Sequence, residues 1–236
     1  LQTVTLARDK GFRTGLVTNC YWATAVEDAR IWLEPLVQAG IDDLSLSDDA
    51  FHHRAEDNPA KRAAQAATEL GVPMRSICID PPVLYPEKQQ KGEPVIGGNA
   101  VFRGRAADKL IAGLPSNPPA TFTKCTREEL VAPRRVHIDP LGFVHFCQGI
   151  CIGNIWNTPL ANLLDNYDAA THPICGPLSR GGPAALASEH GVQLAGEFVD
   201  ECHYCFEVRR ALRRQFAELL TPPLVYGEEE EQARKV

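Results

Sequence analysis

From Phe12 to Ile79, short apolar runs alternate with stretches whose apolar residues recur at helical spacing, and the links between them are brief. Residues 12–18 read as a strand. Residues 26–38 read as a helix with Ile31, Leu33, Leu36 and Val37 on its apolar side, stopped by Gly40. A strand over 41–46 comes next. Asn58-Pro59 then supplies a capping side chain and a first-turn proline for a helix through Ala63, Ala66, Ala67 and Leu70 to Gly71. Residues 72–79 form a third strand, closed by Asp80-Pro81-Pro82, and Val95-Ile96 with Val101-Phe102 is the candidate fourth, before a short helix over 106–111. Strands that alternate with helices build a parallel sheet, open or closed into a barrel, because each helix returns the chain to the starting end. Ligands of such sheets collect at the C-terminal strand ends. Ser47 and Asp48 lie at one of these ends and are candidates for contact with a cofactor or substrate, with loop capping as the structural alternative.

Leu114-Pro115-Ser116-Asn117-Pro118-Pro119 breaks the alternation and reads as a linker, which places the expected domains at 1–114 and 115–220. In the second, strands over 135–138 and 143–146 flank Asp139-Pro140-Leu141-Gly142, a tight-turn sequence, so a β-hairpin is expected. Helices are expected from Thr158-Pro159, from Gly181-Gly182-Pro183, and over 206–220. The last has Val208, Leu212, Phe216 and Leu219 on one face and Arg209, Arg210, Arg213 and Arg214 on the wet one. Residues 221–236 read as a disordered acidic tail.

Six of the eight cysteines fall in the second half: Cys125, Cys147, Cys151, Cys175, Cys202 and Cys205. A disulfide framework belongs to small secreted domains with poor cores, and this chain has a plausible core and opens on no leader-like stretch. Metal ligation is the better account. Cys202-x2-Cys205 lets two thiolates converge on one centre at the start of a helix, and Cys147 ends a hairpin strand with Cys125 upstream. Four such thiolates suit an iron–sulfur cluster or a structural zinc. Cys151 and Cys175 are substitutes, Cys151 also fitting a small buried hydrophobe. His145 and His203 flank these cysteines. Arg103 and Arg105 are positioned to clamp a carboxylate or phosphate, or to form an ordinary ion pair.

The layout Cys125-x16-Gly142-x4-Cys147, a wide gap, then Cys202-x2-Cys205 resembles the twitch form of the SPASM domain, which comes after the barrel of many radical SAM enzymes. Ile152-Gly153-Asn154-Ile155 with the Thr158-Pro159-Leu160 helix start is similar to the segment after the hairpin cysteine in that family, and residues 11–19 and 41–47 are similar to barrel elements. The resemblance implies the C-terminal part of a parallel (β/α) radical SAM barrel followed by a small α+β cluster-binding domain. It implies that Cys125, Cys147, Cys202 and Cys205 hold an auxiliary [4Fe–4S] cluster. S-adenosylmethionine and a second [4Fe–4S] cluster would be bound only by a full-length enzyme, which cleaves S-adenosylmethionine to start radical chemistry. A peptide or protein substrate and an electron donor are the implied partners. The chain departs from the family in lacking CxxxCxxC and the glycine-rich SAM motif, and Cys147-x3-Cys151 has no third cysteine three places on. It opens as if inside a helix, so an N-terminally truncated chain, inactive by itself, is expected.

A formal charge of −6 gives no general attraction to nucleic acid or anionic lipid, and no apolar run approaches the roughly 20 residues that cross a bilayer. A cytoplasmic protein is expected. The alternative from another class is a zinc-stabilised four-cysteine binding or scaffold protein without catalysis.

Overall fold

The computed structural model describes residues 1–54, 56–85 and 95–228. They form a mixed α/β structure that divides into two compact units, Leu1–Ala100 and Val101–Val236. No helix among the described residues is long and apolar enough to cross a membrane.

In the first unit the helix α1 (Gln2–Asp9) precedes three strands, β1 (Gly15–Thr18), β2 (Asp43–Ser47) and β3 (Met74–Ile77). They pair in parallel in that order, with Gly15 opposite Asp43 and Leu44 opposite Met74. The crossovers carry α2 (Val26–Gln38) and α3 (Pro59–Glu69). Asn58 caps α3 by accepting from Lys61 N, with Pro59 in the first turn as expected. The buried positions of α3 are nearly all alanine (Ala60, Ala63, Ala66, Ala67), so its backbone lies close to Leu33 of α2 and to Leu44 and Leu46 of β2 in one apolar cluster. That burial is what makes these short elements persist, since neither helix length nor propensity alone suffices in water.

At the opposite end of the sheet, Asp42 accepts from Thr14 N at 2.6 Å and from Arg8 Nη1 at 2.9 Å. The Thr14 N–H and then the Arg8 guanidinium hold its carboxyl below the usual range. A folded-state pKa below the unfolded one contributes stability that is fully present above the unfolded value and is lost as pH falls through the folded one. Hydrogen-exchange protection of β1 and β2, taken relative to the intrinsic rate at each pH, is therefore expected to fall below about pH 4, and to do so less in Asp42→Asn.

The alternation ends after β3. Residues 83–85 form a strand, β4 (Val83–Tyr85), which pairs antiparallel with β5 (Val95–Gly97) in a separate sheet. The candidate fourth strand is thus corrected: Val95-Ile96 belongs to this separate antiparallel pair, and Val101-Phe102 is in no strand. No helix separates β3 from β4, a parallel crossover takes a dozen or more residues, and Pro81-Pro82 provide no backbone donors. Asp80 N instead donates to Gly98 O at 2.8 Å.

The second unit begins before the expected boundary at Leu114. Its first helix, α4 (Arg105–Lys109), buries Ala107 in the apolar cluster of Phe146, Leu178, Phe206 and Leu212. The proline-rich stretch is no free linker: Asn117 and Phe198 exchange two backbone hydrogen bonds, at 2.8 and 3.0 Å. Three strands, β6 (His137–Ile138), β7 (Phe143–Cys147) and β8 (Ile150–Asn154), form an antiparallel meander. Helices α5 (Leu160–Asp165), α6 (Cys175–Glu189) and α7 (Glu201–Leu212) complete the unit. Two expected helices change extent. The one read from Gly181 is the second half of α6, kinked at Gly181 and Gly182. The one read over 206–220 starts earlier and stops at Leu212, after which the chain folds back so that Leu219 O accepts from Cys151 N of β8 at 2.8 Å. The reading of residues 221–228 as disordered tail is corrected. Residues 223–226 make a 3-10 turn with Tyr226 buried, and residues 229–236 lie outside the described residues.

Candidate metal centre

Cys147 reaches its place at the end of β7 because the β6–β7 turn is tightly specified. Asp139 Oδ1 accepts from Leu141 N at 2.9 Å and Phe143 N at 3.0 Å, and Gly142 takes φ +86° where a Cβ would stand 2.3 Å from the Trp156 ring nitrogen. The chain then turns again at Gln148-Gly149, pairing Cys147 with Ile150 of β8. Gly149, at φ +82°, lets Tyr226 close over this second turn, and Tyr226 Oη donates to Gly149 O at 2.7 Å. A side chain there would meet Tyr226 Oη at 2.7 Å.

Cys202 and Cys205 lie inside the first turns of α7 rather than ahead of a helix, and a spacing of three puts both on one helical face. Asp200 caps this end, its carboxylate accepting from His203 N at 2.7 Å. Burial pushes Cys202 up to about 12 and Cys205 to about 11. Both hold their protons at neutral pH, so any ion they bind must displace them.

Cys125 comes from an extended stretch laid across the kink of α6. Gly182 has φ +61°, and a Cβ on it would lie 2.3 Å from Lys124 N and 2.5 Å from Thr123 C. Ala184 N donates to Phe122 O at 3.1 Å on the same seam. Thr126 Oγ1 donates to the Glu201 carboxylate, tying the stretch to the residue beside Cys202.

These pieces meet around one cavity, whose lining includes Cys125, Cys147, Cys202 and Cys205 together with Arg103 and Arg209. Arg103 Nη1 donates to Cys147 Sγ at 2.9 Å, so the sequence candidate for an anion clamp is spent on a thiol. Glu128 stands 4.0 Å from Arg103 and accepts from Arg135 Nη2 at 2.9 Å. Arg209, expected on the wet face of its helix, is 1% exposed. Its guanidinium donates to Gln148 O at 2.8 Å, to Cys205 O at 3.3 Å and to Tyr226 Oη at 3.2 Å. Burial works against its charge, and the groups that favour it, Tyr226, Cys205 and Cys147, do so only when ionised. No carboxylate is among these partners. The four thiols are the donors a four-thiolate group requires, and Arg103 and Arg209 favour one that carries net negative charge; the rest of the lining sets Lys124 and Arg127 against Glu128 and Glu201. Among the described residues no group of three or more His, Cys, Asp or Glu is arranged to hold a metal ion as it stands; the four thiols border the cavity.

The other candidates lie elsewhere. Cys151 is fully buried with its Sγ against Gly153 O and N at 3.2 and 3.3 Å, a packed side chain outside the cavity lining. Cys175 is also buried, beside Tyr167, close enough to feel Cys147 and Cys125 but not lining the cavity; burial raises it to about 12. His145 Nε2 pairs with Asp139 Oδ2 at 3.2 Å, and His203 Nδ1 accepts from Val199 N at 3.2 Å. In the first unit, Ser47 O takes the His53 ring at 3.0 Å, and the Asp48 carboxylate accepts from Asn58 Nδ2 at 2.6 Å and Ser76 Oγ at 3.4 Å. Asp48 thereby ties α3 and β3 to the end of β2. Sequence reasoning passes over Asp49, the more buried carboxylate, which holds Phe51 N and the His52 ring at 3.0 and 2.9 Å. It also passes over Arg209, whose place four residues after Cys205 on a helix is the available signal.

No protein-family model matches the chain, and no curated protein matches it.

Proposed function

We propose that this chain is the C-terminal portion of a radical SAM iron–sulfur enzyme and that Cys125, Cys147, Cys202 and Cys205 hold an auxiliary [4Fe–4S] cluster. One observation carries the reading. Four cysteines picked out by spacing, from three separated stretches of sequence, line the same cavity, while Cys151 and Cys175 do not. The parallel β1–β2–β3 sheet with its crossover helices supports the second half of the proposal, a partial (β/α) barrel of the radical SAM type ahead of the cluster domain.

The full-length enzyme would cleave S-adenosylmethionine at a second [4Fe–4S] cluster held by a CxxxCxxC, a motif absent from these 236 residues, so this chain alone would be inactive. The auxiliary cluster supplies one-electron transfer when bound. The chain's own residues do the rest. Arg103 holds the Cys147 sulfur by a charge-assisted hydrogen bond, Arg209 and Tyr226 fix the turn after it, and the apolar wall that includes Leu130, Ile150 and Leu178 limits water around the thiols. Ser47 and Asp48 are assigned to the S-adenosylmethionine or substrate side of the barrel, with a peptide or protein as substrate, a separate electron donor, and a cytoplasmic setting.

Anaerobic reconstitution of the chain with iron and sulfide tests this. A broad absorbance near roughly 400 nm with about four irons per chain is expected. A colourless chain holding a single zinc would overturn the iron–sulfur reading in favour of the zinc-stabilised scaffold, which uses the same four thiols.

A further inference from the structure

Arg209 carries a buried charge with no carboxylate among its hydrogen-bond partners. It sits in the interior of the second unit, 1% exposed, and those partners are two carbonyls and a phenol. The Phe206 and Tyr226 rings lie 5.9 and 5.8 Å from the guanidinium carbon, a modest further attraction. A buried guanidinium normally faces a carboxylate, since an unpaired charge in the interior is strongly unfavourable. Here the helix turn and the strand end that surround it bring thiols instead: Cys205, four residues back on α7, and Cys147, one residue before the carbonyl it binds. Arg209 and all four cysteines line the same cavity, and no carboxylate is among the arginine's hydrogen-bond partners. The same sulfurs, ionised and ligated, form a centre of net negative charge.

We propose that Arg209 is the internal counter-ion of the four-cysteine centre, so that loading the centre neutralises a buried charge built into α7 in advance. This rests on the reading of those cysteines as ligands. Arg209 is a positioning residue as well, through Gln148 O, and the two roles separate by charge. Lysine keeps the charge and loses the fork; glutamine keeps a donor and loses the charge.

The test is the rate at which a chelator strips iron from the reconstituted 236-residue chain, compared among the wild type, Arg209→Lys, Arg209→Gln and Tyr226→Phe. Loss of the charge is expected to speed release by about tenfold or more, the scale of one buried ion pair, while lysine and Tyr226→Phe stay within about threefold of wild type. A lysine variant that releases iron as fast as the glutamine one overturns the counter-ion, leaving only a hydrogen-bonded tether. So does a glutamine variant that retains iron as well as wild type. Arg209→Gln that fails to fold without metal also overturns it, because removing a charge with no carboxylate partner must not harm the unloaded chain more than losing two of its three hydrogen bonds does. A wild-type chain that takes up neither iron nor zinc overturns the ligand assignment itself, a result distinct from all of these.

Discussion

Cys202→Ala with Cys205→Ala is expected to reduce iron in the reconstituted chain from about four atoms to near zero. Both thiols leave one face of α7 at once, and with them half of the donors around the cavity. A four-thiolate centre tolerates the loss of one ligand better than two, because a solvent oxygen or a neighbouring side chain replaces one donor. Cys175, one of the two substitutes, is held in the core beside Tyr167 rather than on the cavity wall. Cys151→Ala is the control. Its sulfur is packed against Gly153, and alanine there is expected to lower stability modestly while leaving the iron count unchanged. Iron per chain, read beside the visible spectrum, decides the matter. Full iron in the double variant would remove α7 from the centre, and iron lost from Cys151→Ala alone would move the centre to β8.

The second large effect is expected from Gly182→Ala. The residue combines a left-handed backbone, φ +61°, with a Cβ position 2.3 Å from Lys124 N and 2.5 Å from Thr123 C. Neither neighbour is a flexible side chain tip; both are backbone of the stretch that delivers Cys125. Strain from the backbone conformation and overpacking against that stretch together are expected to cost about 2–5 kcal/mol. Gly191→Ala separates the two contributions. Gly191 has φ +66° but nothing within 4 Å of its Cβ position, so only the conformational part applies, about 1–2 kcal/mol. Urea denaturation of both variants measures the difference. Only Gly182→Ala is expected also to lose iron, because it displaces Cys125; equal stability of the two would mean that the seam between α6 and residues 123–124 yields freely.

How much of this molecule is legible in its sequence depends on how local each signal is. The three parallel strands, the Asn58–Pro59 helix start and the Asp139–Gly142 turn are each determined within a few residues, and the structure has them. The strand β8 escapes a sequence reading because Gln148-Gly149 is a turn of weak signature whose glycine is required by Tyr226, far along the chain. The Pro-rich stretch passes for a linker because its partner, Phe198, is equally distant. Arg209 reads as a solvated residue since periodicity alone makes an arginine among arginines an outer face; the carbonyl that receives it from the β7–β8 turn is invisible to helical spacing. Cysteine spacing nominates four residues that the fold brings around one cavity, but their order of burial and the guanidinium ions among them need tertiary structure.

The closure of the β7–β8 turn by Tyr226 bears on when this unit can be finished during synthesis. Gly149 O is bound by Tyr226, Cys151 N by Leu219, and Asn117 by Phe198. Contacts so far apart along the chain impose a slow search, since loop-closure entropy is spent before the contacts form. A nascent chain released up to α7 already carries all four cavity cysteines, yet its hairpin stays unlatched. Tyr226 is the last of these fasteners to emerge, so the thiols pass through an interval in which they are present, reduced and still accessible, and whatever fills the cavity has that interval in which to enter.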